Sequence, residues 1–146
     1  MSQYFDAASE HACRLLITDF ADAVDSQDYD RLRDILAEDA VFARPSDPDK
    51  PMQGVENIIA AFKKRPKERL SWHLLTNVSV RLVSAEEATG SCRILMFLAD
   101  GGTSEVPGKG HQADGPQLVG SYTDRYVRTA RGWRIADRRG RVFVHT

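Results

Sequence analysis

The stretch WHLLTNVSVRL, residues 72–82, marks the point where the hydrophobic pattern of the chain changes from a helical period to the two-residue period of strands. Before it, apolar residues recur at three- and four-residue steps, and Pro66 ends that part of the chain. Three helices are therefore predicted, over residues 7–24, 29–37 and 54–64. Strands are predicted over residues 72–82, 90–98, 118–129 and 133–144. Helices followed by long antiparallel strands are typical of an α+β fold.

Two segments between these elements are predicted to be irregular. Residues 44–51 contain three prolines, which predicts a loop. Residues 100–115 contain five of the ten glycines of the chain, and so long a loop is usually functional or disordered. Two interpretations of this second segment stay open: a mobile lid over a pocket, and a flexible hairpin end.

The size and composition of the chain predict one globular domain. Its 146 residues and 16.3 kDa suit a single hydrophobic core, so the domain is placed at residues 1–146. Hydrophobic residues make up 42% and charged residues 28%, which argues against disorder. No apolar run approaches the ~20 residues that cross a bilayer, so a membrane partner is not expected. The opening residues lack the basic and apolar regions of a secretory signal, which predicts a cytoplasmic location.

The charge balance argues against a nucleic-acid partner. The chain has 20 Lys and Arg residues against 21 Asp and Glu residues, whereas nucleic-acid binders usually have a basic excess. Seven arginines nevertheless lie between Arg125 and Arg141. The simplest interpretation is an exposed face of two strands, and an anionic substrate or an RNA-binding patch are the alternatives.

No metal or other cofactor is expected. The two cysteines, Cys13 and Cys92, lie far apart within apolar patterns and are interpreted as small buried hydrophobes. Neither the cysteines nor the four histidines have the spacing of metal ligands. Serine hydrolysis is unsupported as well, because the chain has no GxSxG motif.

Acid–base chemistry remains, and His73 is the histidine that lies among apolar neighbours within a predicted strand. A histidine base needs a carboxylate that fixes its tautomer and raises its basicity. Asp25, at the end of the first helix, is the candidate partner. Two other interpretations stay open: Asp25 caps the turn that follows it, and His73 has only a structural role.

Strict alternation of side chains places His73 on one face of its strand and a set of apolar residues on the other face. That face would consist of Trp72, Leu74, Val78, Val80 and Leu82. A sheet with one buried side would leave His73 in water, whereas a strongly curved sheet could hold it in a polar-lined pocket. An exposed apolar face of this size predicts contact with further copies of the chain.

Three stretches of the sequence resemble one family: AVDSQDYDRLRDILAEDAVF (23–42), HLLTNVSV (73–80) and GSYTDRYVRTARGWRIADR (120–138). The family is the SnoaL-like branch of the nuclear transport factor 2-like superfamily, and the likeness runs over about residues 8–144. The resemblance implies a cone-shaped roll, in which three N-terminal helices pack on a strongly curved antiparallel sheet and leave a deep apolar pocket. It also implies a homodimer or homotrimer.

Within the superfamily, the chain is similar to two kinds of enzyme. It resembles the scytalone dehydratases over residues 24–33 and the hexachlorocyclohexane dehydrochlorinases over residues 23–25, 73–77 and 122–128. Both use a His–Asp dyad to remove a proton beside a leaving group. The resemblance implies that His73 is the general base and that Asp25 orients it.

The resemblance also implies substrate-binding positions. Tyr122 matches a position that points into the pocket, and Arg128 is similar to a pocket arginine of the dehydrochlorinases. The other three positions depart from these enzymes. Phe20 stands in place of a pocket lysine, Leu98 in place of a second catalytic histidine, and Arg44 in place of a substrate-contacting tyrosine. The substrates of these enzymes therefore cannot be assigned to this chain.

The sequence thus predicts a cofactor-independent enzyme of the lyase, isomerase or cyclase kind. Such an enzyme would remove a C–H proton from a small apolar or polyketide-like molecule. The alternative is a non-catalytic small-molecule-binding or accessory domain of the same fold. The alternative predicts a pocket in which His73 and Asp25 are not in contact.

Overall fold

The computed structural model describes residues 5–102 and 105–146, which have the predicted α+β architecture. In chain order the elements are α1 (Ala7–Asp25), a 3₁₀ helix (Tyr29–Asp34), β1 (Leu36–Arg44), β2 (Asp47–Gln53), α2 (Val55–Lys63), β3 (Arg69–Leu82), β4 (Glu87–Asp100), β5 (Ala113–Thr129) and β6 (Gly132–His145). Within the described residues, no helix is long and apolar enough to cross a bilayer.

Helix α1 covers the concave side of the sheet. It begins after Asp6, whose carboxylate accepts hydrogen bonds from the backbone N–H groups of Ala8 and Ser9, at 3.1 and 3.4 Å. Its apolar residues recur on one face, which packs against β3 and β6. The buried residues of this face include Cys13, Leu16, Ile17, Phe20, Ala23 and Val24.

The second predicted helix is shorter than its hydrophobic pattern suggests. It is a 3₁₀ helix that ends at Asp34, and the prediction that it continues to Ala37 is wrong. Residues 36 and 37 instead begin β1, where Leu36 lies opposite Ile135 of β6. Pairing with the sheet therefore outweighs the helical periodicity of the last predicted turn.

The six strands form one curved, open sheet in the order β2-β1-β6-β5-β4-β3. The predicted packing of helical segments on a curved sheet is confirmed. The sheet is mixed rather than wholly antiparallel, because β1 runs parallel to β6. The remaining neighbours are antiparallel.

Part of the proline-rich segment predicted as a loop is in fact strand β2. Its residues pair with β1, with Gln53 opposite Val41 and Met52 opposite Phe42. Proline cannot donate a backbone hydrogen bond, and within sheets it is confined largely to edge strands. Because β2 is an edge strand of this sheet, it accommodates Pro48 and Pro51 without loss of a ladder hydrogen bond in the sheet interior.

The glycine-rich segment is shorter than predicted, because β4 extends to Asp100 and β5 begins at Ala113. Within it, Val106 and Gly110 form an isolated antiparallel bridge. Thr103 and Ser104, which belong to the segment interpreted as a lid or a flexible hairpin end, lie outside the described residues. Both interpretations therefore stay predictions.

A β-bulge in β3 reverses the alternation of side chains halfway along the strand. The register with β4 shifts between Thr76 and Ser79, and Asn77 has a φ of 51°, in the left-handed region. Beyond the bulge Val80 is buried, on the same side of the sheet as His73. Only Trp72 and Leu74, before the bulge, point outward as predicted, and Val78 packs against the core.

The predicted outer face is therefore wrong at Val78, Val80 and Leu82. Strict alternation fails there because two residues of β3 lie opposite one residue of β4. The consequence for the site is that both halves of β3 contribute to the concave side. His73 comes from the first half, and Val80 and Leu82 come from the second.

A buried ion pair joins β5 and β6 beneath the helices. Asp124 and Arg138 lie directly opposite each other, and both side chains are 0% exposed. Two hydrogen bonds of 2.8 Å link the guanidinium Nε and Nη2 to the carboxylate, and the Tyr126 hydroxyl donates a third, of 2.9 Å. Arg138 was expected on an exposed arginine face, so that interpretation is wrong at this residue. The charge of Arg138 can be buried because the Asp124 carboxylate, which compensates it, is buried beside it.

We predict that Asp124→Asn lowers the free energy of unfolding by about 3–5 kcal/mol, because it leaves the Arg138 charge buried and uncompensated. Chemical denaturation measures the effect. The matched control is Asp34→Asn, which breaks the exposed Asp34–Arg131 pair of 3.2 Å, whose side chains are 69% and 73% exposed. Its effect should be much smaller. Equal effects of the two substitutions would contradict the role given to the buried pair.

Candidate active site

His73 and Asp25 are hydrogen-bonded to each other. The distance from His73 Nδ1 to Asp25 Oδ1 is 2.6 Å, and the two side chains are 10% and 17% exposed. The backbone N–H of His73 also donates to Asp25 Oδ2 at 2.7 Å, and the Ser71 hydroxyl donates to Oδ1 at 2.9 Å. The carboxylate is thus fixed by three hydrogen bonds from two residues of one strand.

The end of α1 and the start of β3 are held together by a second contact beside Asp25. Gln27 has a φ of 59°, which turns the chain sharply after the helix. Its side-chain amide donates to the backbone carbonyl groups of Lys67 and Arg69, at 3.0 and 3.3 Å. These bonds place the last residue of α1 against the strand that carries His73.

The hydrogen-bond network assigns the tautomer of His73. The Asp25 carboxylate is an acceptor, so Nδ1 carries the hydrogen and donates it. The other ring nitrogen, Nε2, is then unprotonated in the neutral imidazole. Because His73 lines a cavity, this arrangement suits a base that acts on a molecule bound there.

The cavity lies between the helices and the concave side of the sheet. Its volume is about 290 Å³, near the lower end of the range for small-molecule sites. Apolar side chains make up most of its lining, among them Val24, Ile94, Met96, Leu118 and Val142. Among the described residues, no group of three His, Cys, Asp or Glu side chains is placed to hold a metal ion.

Aromatic rings form one wall of the cavity. Phe20 packs edge-on against Phe42 at 5.3 Å and against Tyr122 at 6.1 Å, measured between ring centroids. Phe42 stacks on Phe62 at 5.7 Å. Contacts of this kind stabilise the rings relative to one another and give the wall a fixed shape.

Four of the five substrate-binding positions predicted from the sequence line this cavity together with His73. They are Phe20, Arg44, Leu98 and Tyr122. Asp25 lies behind His73, against Nδ1. Residues that are far apart in the sequence are thus brought to one cavity by α1, β1, β4 and β5.

Arg128 is not brought into the cavity. It is exposed, and its backbone N–H donates to the carbonyl of Glu86 in the turn after β3. Six residue steps of extended chain lead from Tyr122 to Arg128, which corresponds to about 20 Å along β5. Arg128 therefore lies at the end of the strand, whereas Tyr122 lies near its middle.

Arg138 is the residue near the cavity that sequence reasoning missed. Its guanidinium carbon lies 4.5 Å from the centroid of the Phe20 ring and 4.3 Å from that of the Tyr122 ring. Its Nη1 is buried and has no hydrogen-bond partner among the described residues. Its position between Ala136 and Gly140 on one face of β6 is the sequence signal that could have revealed an inward arginine.

Tyr122 remains a hydrogen-bond donor over the whole neutral range. Burial raises the pKa of its hydroxyl to about 12, and the nearby charge of Arg138 opposes that rise only in part. The neutral phenol can therefore donate to an oxygen of a bound molecule, but it does not serve as a base.

Comparison with solved structures places the fold among known ones. Kfla4162 from Kribbella flavida is 23% identical, with a TM-score of 0.78, and the match covers 97% of this chain and 95% of that one. A hexachlorocyclohexane dehydrochlorinase, LinA-type3 from Novosphingobium barchaimii, is 24% identical with a TM-score of 0.76, covering 95% and 89%. A provisionally named scytalone dehydratase from Novosphingobium aromaticivorans is 19% identical with a TM-score of 0.71, covering 93% and 85%.

These likenesses, at under 25% identity, establish a shared fold. No curated protein matches the sequence. The family assignment comes from the sequence profile of the SnoaL-like domain, which matches residues 6–139. The chain therefore belongs to the SnoaL-like domain family.

Proposed function

We propose that this protein is a cofactor-independent enzyme of the lyase, isomerase or cyclase kind, in which His73 removes a C–H proton from a small apolar or polyketide-like molecule. The observation that carries the proposal is the 2.6 Å hydrogen bond from His73 Nδ1 to Asp25 at the wall of an apolar cavity. The non-catalytic alternative predicts that these two residues are not in contact, and the observed hydrogen bond therefore favours catalysis.

The proposed step begins with a bound molecule whose acidic C–H bond points at His73 Nε2. Nε2 takes the proton, and the electron pair of the C–H bond becomes an enolate or a new C=C bond. In an elimination the leaving group departs with its electron pair, and in an isomerisation the proton returns to another carbon. The Asp25 carboxylate stabilises the imidazolium that forms, without itself accepting the proton.

Two groups near the aromatic wall support the negative charge that develops on the substrate. The Tyr122 hydroxyl is a neutral donor with a raised pKa, because it is buried. The guanidinium carbon of Arg138 lies 4.3 Å from the centroid of the Tyr122 ring, and its Nη1 has no hydrogen-bond partner among the described residues. Asp124 compensates the charge of Arg138, so its support for an oxyanion bound at Tyr122 comes from the dipole of the Nη1–H group in this largely apolar site.

We predict that His73→Gln lowers turnover by about 10²–10⁴-fold while the fold persists. The measurement is the exchange of α-C–H protons of enolisable ketones such as 2-tetralone into D₂O, followed by NMR. Exchange into D₂O reports removal of the proton, whichever reaction follows that step. Asp25→Asn should also slow exchange, because an amide at this position can donate to Nδ1 and favour the wrong tautomer.

The matched control for this experiment is His11→Gln, at an exposed position of α1. It should leave the exchange rate unchanged. Exchange at the wild-type rate in a folded His73→Gln variant would refute the role of His73. Circular dichroism and thermal unfolding of each variant separate a loss of chemistry from a loss of structure.

We predict that Tyr122→Phe lowers the exchange rate on the order of 10²-fold, because it removes a donor to the developing oxyanion. Tyr29→Phe is the control, since Tyr29 packs on Phe62 but does not line the cavity.

The pH profile of the exchange rate gives a second check on Tyr122. With the pKa of Tyr122 raised to about 12, the donor is present below that pH and lost only as the pH rises through it. A loss of the Tyr122-dependent rate near pH 10 would contradict this assignment.

We also propose that the protein forms a homodimer or homotrimer through the outer face of the sheet. Side chains from four neighbouring strands form a continuous apolar row there, because each lies directly opposite the next in the register. The row consists of Leu74, Leu95, Val119 and Val144, with Trp72 and Phe97 beside it. Leu74 and Val144 are 54% and 61% exposed, and monomeric proteins seldom leave so extended an apolar patch uncovered.

We predict that Leu74→Glu converts the oligomer to a monomer, because a charge in the row would be desolvated by association. Size-exclusion chromatography with light scattering measures the mass. The control is Val83→Glu, which places the same charge at a 59% exposed valine outside the row. A wild-type protein that is monomeric at tens of micromolar would rule out this interface.

A further inference from the structure

We infer that the molecule bound in the cavity carries a carboxylate, which Arg44 recognises while the apolar body lies against the aromatic wall. Arg44 lies at the mouth of the cavity, where the next two lining residues, Pro45 and Ser46, are half-buried and exposed. The inference rests on the proposed function, because it names the class of substrate for the same cavity. It depends on the charges that line the cavity, on their partners within the chain, and on the position of Arg44 beside the aromatic rings.

The charged lining of the cavity has one sign. Three arginines line it, Arg44, Arg65 and Arg69, and no Asp or Glu does so among the described residues. Ser46, His73 and Tyr122 are the other lining residues with polar side-chain groups. A largely apolar cavity with this set of charges is complementary to a small molecule that has an apolar body and a negative group.

The arginines differ in how far their charge is already compensated. Arg69 forms an ion pair with Asp114. Arg65 and Arg44 form no ion pair or side-chain hydrogen bond with a described residue. Asp47, which lies opposite Arg44 in the β1–β2 register, pairs with Lys50 instead, at 3.5 Å. The charge of Arg44 is thus uncompensated within the described part of the chain.

The burial of Arg44 makes this lack of a partner informative. The side chain is half-buried, and its Nη2 is buried without a hydrogen-bond acceptor among the described residues. A buried donor that lacks an acceptor costs free energy, and native proteins leave few of them. An anionic ligand that binds the guanidinium would offset this cost, which is the physical reason to assign the group to recognition.

The surroundings of Arg44 fit a carboxylate on an apolar molecule. Its guanidinium carbon lies 5.3 Å from the centroid of the Phe62 ring, and Phe62 stacks on Phe42. The ring limits the orientations of the planar guanidinium, which presents a fork of donors that matches a carboxylate. A ligand bound there would pass directly from its charged end to the aromatic wall. The cavity volume of about 290 Å³ limits the ligand to a small molecule.

The test compares arylalkanoates of increasing chain length, 4-phenylbutyrate among them, with their primary amides. Isothermal titration calorimetry at neutral pH measures the affinity of each. We expect at least one acid to bind about 10–100-fold more tightly than its amide, the range of a hydrogen bond to a charged group. Arg44→Gln should abolish that preference. Arg81→Gln, at an exposed arginine that does not line the cavity, should preserve it.

Several results would overturn the inference. They are equal binding of acids and amides, a preference for acids that survives Arg44→Gln, and the absence of binding by every member of both series. Acetate gives a further control. If it binds as tightly as the arylalkanoates, the site holds a simple anion and the apolar body has no part in recognition.

A keto acid separates this inference from the proposed function. 4-Oxo-4-phenylbutyrate contains both a carboxylate and an enolisable C–H bond. Binding that depends on Arg44, without exchange of that C–H in D₂O, would refute the proposed chemistry and support the inference. The opposite outcome is exchange of neutral ketones that depends on His73, with a preference for acids that Arg44→Gln does not change. That outcome would support the proposed chemistry and refute the inference.

Discussion

The Asp25 carboxylate joins a helix to the edge of a sheet, and the part of the cavity wall that contains His73 is built at that connection. β3 is an edge strand, and the backbone N–H of His73 donates to Asp25. One residue of α1 thus satisfies an edge donor, accepts from Ser71 and orients an imidazole. Edge strands need such cover to avoid pairing with other chains. The same hydrogen bonds that protect the edge therefore also prepare a base.

Charged groups lie on two sides of the apolar cavity and differ in how far their charges are compensated. Beneath the aromatic wall lies the closed pair of Asp124 and Arg138, which holds its charge away from water. The middle of the cavity is apolar, and His73 lies in its wall. At the mouth the guanidinium of Arg44 has no partner among the described residues. A ligand that enters apolar end first would leave its polar end at the mouth.

The sequence predicted the elements better than it predicted their orientations. Periodicity located α1, α2 and the four long strands, because each buries one face and so repeats its apolar residues. It could not reveal the reversal at Asn77, since a bulge leaves both halves of β3 alternating normally. The proline segment is predicted as a loop because, within sheets, proline is tolerated mainly in edge strands, and the edge position of β2 depends on the order of the strands in space. The proximity of Arg138 to the rings of Phe20 and Tyr122 depends on how β6 lies under α1.

The bulge at Asn77 separates β3 into two halves with different tasks. The first half presents Ser71 and His73 to the end of α1, and the second half supplies Val80 and Leu82 to the core. The extra residue determines which side of the sheet each half presents to the core. Side chains of either half can therefore be substituted in evolution without changing the orientation of the other half. Loss of that one residue would be a different kind of event. It would rotate one half of the strand by half a turn, so that either the base or the core would face outward. Lineages with this strand should therefore accumulate substitutions in it far more readily than changes in its length.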